Sequence, residues 1–308
     1  DETVVPGEQF NLTVSVINGG PYTYSGAAMS FDLPPGWEAT LQPPGEAGER
    51  GARGGRGGGG RGGGARGAAA PAAPTVPAQP GVVAPGQKYD QVYNIKVPAN
   101  ATFTQPYWLR EPRKGDRFVW PEGSPANMPF DLPLLTTHAS VNYDGIAIAM
   151  DKPAEFRSSD RIYGEQRAEV KVVPALSVRL APDIAVIPVG GKRQKEFTVQ
   201  IENQSTTAAD GDVRLVVPAG WTVTPASQPV NFTRQGEKTA LQFIVTAPAV
   251  GGDFKVRAIA RIGTQEFRTG YTTVAYPHIE THYIYSPAES TVEVFDIKMG
   301  ISSVGYVE

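Results

Sequence analysis

Two histidines, His278 and His282, have the type and spacing that come nearest to a metal site in this sequence. Histidines four positions apart share one face of a helix, an arrangement that binds zinc in many enzymes. The neighbouring Tyr276-Pro277 and Tyr283-Ile284-Tyr285 favour an extended chain, in which residues 278, 280 and 282 would also share one face. We interpret the stretch as a linker with incidental histidines and predict no metal, keeping His278 and His282 as the candidates to test.

Four aromatic residues suggest a second kind of chemistry, the binding of sugar rings. Tyr107, Trp108, Trp120 and Tyr163 lie in or beside an irregular, proline-rich part of the chain. Aromatic side chains offer flat apolar surfaces on which sugars stack, but they also dominate protein cores. The alternative, which we favour at this point, is that the four residues cover the edge of a large module.

No catalytic residue is predicted in this chain. Cysteine is absent, which excludes a disulfide scaffold, a thiolate zinc site and a cysteine nucleophile. The sequence has no nucleophile elbow, Walker loop or dinucleotide-binding fingerprint, and its carboxylates form no local pair of the glycosidase type. His138, the remaining histidine, has no acidic partner nearby in sequence.

A run rich in glycine, arginine, alanine and proline occupies about residues 45–80. Its Arg-Gly-Gly triplets resemble tails that bind single-stranded nucleic acid, but such tails interleave aromatic residues for base stacking, and this run has none. The whole chain carries a net charge of −3, which also argues against a nucleic-acid partner. We interpret the run as a solvated spacer that is disordered, because it lacks apolar side chains to bury.

The elements that must position these residues are β-strands. Apolar residues alternate with polar ones in nearly every periodic segment, for example Phe10, Leu12, Val14 and Val16. Proline and glycine interrupt the chain about every ten residues, as in β-sandwiches. No segment shows a helical stripe, and no apolar run is long enough to span a bilayer. The sequence therefore predicts an all-β fold of tandem immunoglobulin-like sandwiches without a transmembrane segment.

An internal repeat supports two copies of one module. Pro34-Pro35-Gly36-Trp37 resembles Pro218-Ala219-Gly220-Trp221, and both tryptophans are predicted core residues. Trp221 precedes Gly236 by 15 positions, whereas Trp37 precedes the matching Gly86 by 49. The 34 additional residues match the length of the biased run, which we therefore place in a loop of the first copy.

The repeat also predicts domain bounds. We expect an elaborated sandwich at residues 1–174, a second sandwich at 175–275, and a linker at 276–308. Residues 302–307 are short, apolar and glycine-containing, as the first strand of a parallel α/β sheet often is. Both ends look cut, so we expect a piece of a longer polypeptide whose neighbouring domains are its partners. On this interpretation, truncation before Tyr276 leaves both sandwiches stable.

The order of several motifs resembles the region downstream of the catalytic domain in large bacterial PIG-L/LmbE-like deacetylases. These motifs are Val5-Pro6-Gly7, Pro35-Gly36-Trp37, Gln105-Pro106-Tyr107-Trp108-Leu109, Arg157-Ser158-Ser159-Asp160 with Tyr163-Gly164-Glu165, and Tyr276-Pro277-His278-Ile279. The second copy also resembles the sandwich module found beside carbohydrate-binding domains in some α-galactosidases.

The resemblance implies an exported parent, periplasmic or extracellular, that removes the acetyl group of an N-acetyl amino sugar with a zinc-bound water. The Ala-His-Pro-Asp-Asp motif of that catalytic domain is not in this sequence, so zinc is expected there and no cofactor is expected here. We expect a non-catalytic accessory or spacer region. The alternative is a carbohydrate-binding module that holds glycan through the aromatics of the first copy.

Overall fold

The computed structural model describes residues 2–43, 81–125, 128–276 and 278–296, and the fold is all-β, as predicted. The predicted disordered insertion at 45–80 and the predicted strand at 302–307 lie outside the described residues. The strands, in chain order, are β1 (Thr3–Val4), β2 (Gln9–Ile17), β3 (Ser25–Asp32), β4 (Glu38–Leu41), β5 (Lys88–Lys96), β6 (Thr136–Tyr143), β7 (Ile146–Pro153), β8 (Glu155–Asp160), β9 (Gly164–Glu169), β10 (Lys171–Val172), β11 (Leu176–Ala181), β12 (Ile184–Pro188), β13 (Gln194–Asn203), β14 (Ala209–Val216), β15 (Thr222–Thr224), β16 (Gln228–Phe232), β17 (Lys238–Thr246), β18 (Gly252–Ile262), β19 (Gln265–Phe267), β20 (Thr269–Val274), β21 (His282–Pro287) and β22 (Glu289–Phe295).

The chain forms two compact units. The first unit comprises Glu8–Pro98 and Pro133–Glu155, and the second comprises Asp1–Gly7, Ala99–Leu132 and Phe156–Glu308. These units differ from the predicted bounds of 1–174 and 175–275. The difference arises because three segments assigned to the first module by sequence order, residues 1–7, 99–132 and 156–174, contact the second unit instead.

The first unit is a sandwich of two three-stranded antiparallel sheets, ordered β2-β5-β4 and β3-β6-β7. Val16 on β2, Val83 and Val141 on β6 form a buried apolar cluster, so the inner face of each sheet covers the other. A tight turn at Asp144-Gly145 joins β6 to β7, and both residues have the positive φ that such a turn requires, 48° and 79°.

The second unit contains a larger sandwich. One sheet is ordered β11-β13-β17-β15, and the other is ordered β12-β22-β18-β14-β16, with β19 paired to β18. The core between them draws all its buried residues from positions 176–294, including the fully buried Phe197 and Phe243. Alternating apolar residues on β13 and β17 produce this inner face, as the sequence predicts.

Short elements complete the second unit. β1 pairs in parallel with β10, β8 forms a hairpin with β9, and β20 pairs with β21. Val5 and Val173 pack with Tyr271 and Tyr283 in a small separate core. Residues 99–132 belong to the same unit, and their described part includes a three-residue 3₁₀ turn at Tyr107–Leu109. Phe103 and Phe130 of this segment stack on Tyr285 and His282 of β21.

The structure places Trp37 and Trp221 at equivalent positions. Each tryptophan is buried, with 8% and 7% of its surface exposed, and each immediately precedes an edge strand, β4 or β15. The amide of Trp37 donates to the carbonyl of Pro34 at 3.1 Å, and that of Trp221 donates to Pro218 at 3.2 Å. The repeat in the sequence is therefore a repeat in structure.

A buried asparagine ends the first long strand of each copy. Asn203 is fully buried: its Nδ2 donates to the carbonyls of Ser205 (3.2 Å) and Arg234 (3.0 Å), and its Oδ1 accepts the amide of Ser205 at 3.1 Å. Asn18 makes the matching set with Tyr22, Val83 and Gly20. Each side chain thus makes three hydrogen bonds to backbone groups, two as donor and one as acceptor.

We predict that Asn203→Ala lowers the free energy of unfolding of the second unit by about 3 kcal/mol, since a fully buried side chain loses its hydrogen bonds to the carbonyls of Ser205 and Arg234 and to the amide of Ser205. Chemical denaturation measures this change. The control is Asn231→Ala, an exposed position on β16, which is expected to change stability by less than about 0.5 kcal/mol. Equal effects of the two substitutions would contradict the role assigned to Asn203.

The interpretation of residues 276–308 as a linker is wrong for residues 282–287, which form β21, and for residues 289–295, which form β22. β22 lies between β12 and β18, parallel to the first and antiparallel to the second. Val292 and Val294 are buried in the core of the second sandwich at 0% and 1% exposure. The alternation of this segment indicates a strand, but its partners are about 35 and 100 positions away in sequence.

We predict that a chain ending at residue 275 loses the second sandwich, because its core then lacks Val292 and Val294 and its larger sheet lacks an internal strand. A chain ending at residue 296 keeps every described strand and is the matched control. Near-ultraviolet circular dichroism and amide NMR dispersion distinguish the two. A native spectrum from the chain ending at 275 would restore the linker interpretation.

Candidate functional site

Three of the four predicted platform residues come together in the second unit. Tyr107 lies edge to face with Trp108, their ring centroids 5.0 Å apart, and with Trp120 at 5.5 Å. Trp108 contacts Phe130 at 5.9 Å, and Phe130 stacks on His282 at 4.5 Å. We call these five residues the aromatic cluster. It connects the irregular segment 99–132 to β21.

The members of the aromatic cluster differ in exposure. Tyr107 is 4% exposed, and its hydroxyl donates to the carbonyl of Met128 at 3.0 Å, so it is the buried anchor. Trp120 is 50% exposed, and Trp108 is half-buried. Within the segment 99–132, the guanidinium of Arg110 pairs with the carboxylate of Asp131 at 2.9 Å. The cluster therefore presents flat apolar surface together with a planar charged pair.

Tyr163 has a different position. It lies in the turn between β8 and β9, is 68% exposed and makes no aromatic contact among the described residues. The carboxylate of Asp160 accepts the backbone amides of Ile162 and Tyr163 at 2.7 and 2.9 Å, which lowers the pKa of Asp160. This turn is held by its own hydrogen bonds, and Tyr163 is not a member of the cluster.

The two metal candidates also have separate positions. His278 lies in a turn with its ring 6.0 Å from that of Tyr276, whereas His282 begins β21 and stacks on Phe130. Burial, and then the charge of Lys171, lower the pKa of His282. The described part of the chain contains no group of three or more ligating side chains suited to a metal ion.

His138 has two acidic partners that its sequence neighbourhood did not reveal. Its Nε2 lies 3.0 Å from Asp32 on β3, and its Nδ1 lies 2.7 Å from Asp151 on β7. The strand register produces this arrangement: His138 on β6 stands opposite Asp151 and opposite Ser30, two residues before Asp32. The hydrogen bonds to Asp151 and then Asp32 raise the pKa of His138.

This arrangement favours the imidazolium form over a catalytic base. Both ring nitrogens face a carboxylate, and only the doubly protonated ring donates to both. A general base needs one nitrogen free to accept a proton from a substrate. The two carboxylates also lie at opposite ring nitrogens, so His138, Asp32 and Asp151 do not converge on one metal position. We interpret the trio as a cross-strand ion pair.

A polar groove of about 600 Å³ lies on the outer face of the β11-β13-β17 sheet, beside β20. Arg179, Gln200 and Glu202 line it, and Lys238 pairs with Glu202 at 3.2 Å. Tyr271 forms part of its wall, and burial, followed by the charge of Glu202, raises the pKa of this phenol. The groove offers hydrogen-bonding groups and charge but no exposed aromatic face.

Comparison with known proteins identifies no family for this chain. No protein-family profile matches this sequence, and no curated protein matches it. Among solved structures, the Calx CBD1 domain is similar at 14% identity and a TM-score of 0.23 over 40% of this chain and 98% of its own. A C. elegans MSP family member is similar at 12% identity and a TM-score of 0.22, over 39% of this chain and 97% of its own.

A longer stretch resembles part of a much larger protein. Escherichia coli alpha-2-macroglobulin activated by porcine elastase is similar at 12% identity and a TM-score of 0.27, over 71% of this chain and 14% of its own. Within the described residues, none of the helical structure is long and apolar enough to cross a membrane.

We predict that the pKa of His138 lies above the ordinary value of 6.5 for histidine. Because the folded state holds the proton more tightly, the ion pair stabilises the first unit at pH below about 6.5, and the effect is lost as pH rises through the folded pKa. NMR titration of the imidazole measures the pKa. Asp151→Asn should lower it more than Asp32→Asn, and an unchanged titration in both variants would contradict the assignment.

Proposed function

We propose that the second unit binds carbohydrate through the aromatic cluster, with Trp120 as the principal stacking surface and Trp108 beside it. The observation that carries the proposal is a half-exposed tryptophan in edge-to-face contact with a buried tyrosine. That tyrosine, Tyr107, donates its hydroxyl to the carbonyl of Met128 at 3.0 Å. The contact orients the ring of Trp120 and leaves half of its surface open to a ligand.

Carbohydrate is the ligand class that suits this surface. One face of a pyranose ring consists of C–H groups and packs on an aromatic ring, while its hydroxyls need planar polar partners at the rim. The Arg110–Asp131 pair supplies such donors and acceptors within the same segment. Exposed aromatic surface beside a few polar groups is typical of ligand-binding sites.

We further propose that this binding serves a larger exported enzyme, a PIG-L-like deacetylase of N-acetyl amino sugars. The order of sequence motifs supports this proposal, including Gln105–Leu109, which contributes Tyr107 and Trp108 to the cluster. On this proposal the chain acts as a non-catalytic accessory region that keeps a separate zinc-dependent catalytic domain near its polymeric substrate.

We predict that the full chain is retarded in affinity electrophoresis on a soluble N-acetylated amino-sugar polymer such as glycol chitin. Trp120→Ala should weaken the interaction by about tenfold or more, because loss of one stacking surface is worth more than about 1.4 kcal/mol. Trp120→Phe should retain part of it. Tyr163→Ala is the control, since Tyr163 is 68% exposed, against 50% for Trp120, and lies outside the cluster.

The choice of polymer separates the two parts of the proposal. Binding to hydroxyethyl cellulose but not to glycol chitin would keep the carbohydrate site and remove its link to amino sugars. Electrophoretic mobility that no polymer changes would contradict carbohydrate binding by the aromatic cluster and would favour a spacer role for the chain. Equal effects of Trp120→Ala and Tyr163→Ala would show that the surface lies elsewhere.

A further inference from the structure

The polar groove beside β20 has a floor that the strand register defines. Its residues on the outer face of β11, β13 and β17 form two rows that run across the strands. The rows are Arg179-Gln200-Ala240 and Ser177-Glu202-Lys238. Side chains directly opposite one another in a sheet lie about 5 Å apart, so the members of each row are close neighbours. The register therefore places charged and hydrogen-bonding groups from three strands side by side on one open face.

The wall of the groove is β20, which lies directly against β11. Gly270 allows this approach, because a β-carbon there would stand 2.4 Å from the carbonyl oxygen of Val178 and 2.5 Å from Cγ of Arg179. The backbone amide of Tyr271 donates to the hydroxyl of Ser177 at 3.3 Å. The aliphatic stem of Arg179 is thus packed against the backbone of β20, and this contact holds the arginine at the side of the groove.

Arg179 carries the uncompensated charge of the groove. The two other charged residues of the lining, Glu202 and Lys238, pair with each other at 3.2 Å. Arg179 is exposed and has no carboxylate partner among the residues that the structure describes. By contrast, Arg214 and Arg261 on the other sheet each pair with a carboxylate, at 3.2 and 3.0 Å. Two cations and one carboxylate leave the lining with one positive charge in excess, on a planar guanidinium.

The lining selects the chemical class of the ligand. A guanidinium binds a carboxylate through two parallel hydrogen bonds, and the neighbouring Gln200, Thr272 and Thr273 offer donors and acceptors that suit hydroxyl groups. The volume of about 600 Å³ falls within the range of about 300–1,000 Å³ that is usual for small-ligand sites. A peptide strand fits less well, because the face of a sheet has no unpaired backbone groups and Ala240 is the sole exposed apolar side chain of the described lining.

We propose that the polar groove binds an acidic saccharide. The carboxylate of a uronic acid residue pairs with Arg179, and the sugar hydroxyls bond to Gln200 and to the threonines of β20. Ala240, in the same row as Arg179, leaves room above the floor for a sugar ring. This site shares no residue with the aromatic cluster and uses a charge-assisted hydrogen bond in place of stacking. It therefore does not depend on the proposed function.

The test measures the binding of a galacturonic acid oligomer to the full chain by isothermal titration calorimetry at low salt. Binding should be saturable, and methyl esterification of the oligomer should weaken it by about tenfold or more, because the ester removes the charge and keeps the sugar rings. Arg179→Ala should cause a loss of similar size, and Arg179→Lys a smaller one, because an ammonium keeps the charge without the planar fork. Ala240→Glu should also weaken binding, because it adds bulk and negative charge to the floor.

Two control variants locate the binding site, and circular dichroism establishes that every variant keeps its fold. Arg261→Ala removes an exposed arginine from the other sheet of the sandwich and should leave the affinity unchanged, as should Trp120→Ala. The proposal is overturned if the oligomer shows no saturable binding, if its methyl ester binds equally well, or if Arg261→Ala weakens binding as much as Arg179→Ala does. Loss of binding in Trp120→Ala would place the ligand on the aromatic cluster and would equally overturn it. A polyglutamate peptide that binds as tightly as the oligomer would make a polypeptide the ligand, with the same consequence.

Discussion

A two-layer sandwich buries its apolar faces only where the strands of the two layers cover one another. In the second unit β12 extends the larger sheet beyond β22 and adds Ala185 and Ile187 to the buried core. In the first unit the described sheet ends at β7, whose Ile146, Ile148 and Met150 are 65%, 40% and 48% exposed. The described sheets of the two copies therefore differ in extent, although their central strands and turns match.

The sequence predicts where strands occur and which face of each is buried, but not which strands pair. Strict alternation predicts β2, β13 and β17 because one face of each is buried and the other is solvated. The repeated Gly-Trp pair in the sequence predicts two matching turns, and in the structure both glycines have positive φ. Alternation does not reveal which strands become neighbours. The position of β22 between two strands distant in sequence had no local signal, and so the predicted linker was wrong there.

Among the candidate site residues too, the sequence predicts contacts between near neighbours but not contacts that depend on strand pairing. Tyr107 and Trp108 are adjacent in sequence, and their proximity to Trp120 follows from a short irregular segment that folds on itself. The sequence places Tyr163 with the other aromatics only by residue type. In the structure, local hydrogen bonds to Asp160 hold its turn between β8 and β9, apart from the cluster. Asp32 lies 106 positions before His138, and only the pairing of β3 with β6 brings the two together.

The distribution of the four tryptophans has a spectroscopic consequence. Trp37 is in the first sandwich against Phe10, Trp221 is in the second against Phe254, and Trp108 and Trp120 belong to the aromatic cluster. Each sandwich therefore contains a single buried indole whose fluorescence reports its own unfolding. The emission of Trp120, which is half in water, reports a different event, the arrival of a ligand at the surface. One chain thus carries separate intrinsic probes for the stability of each sandwich and for binding.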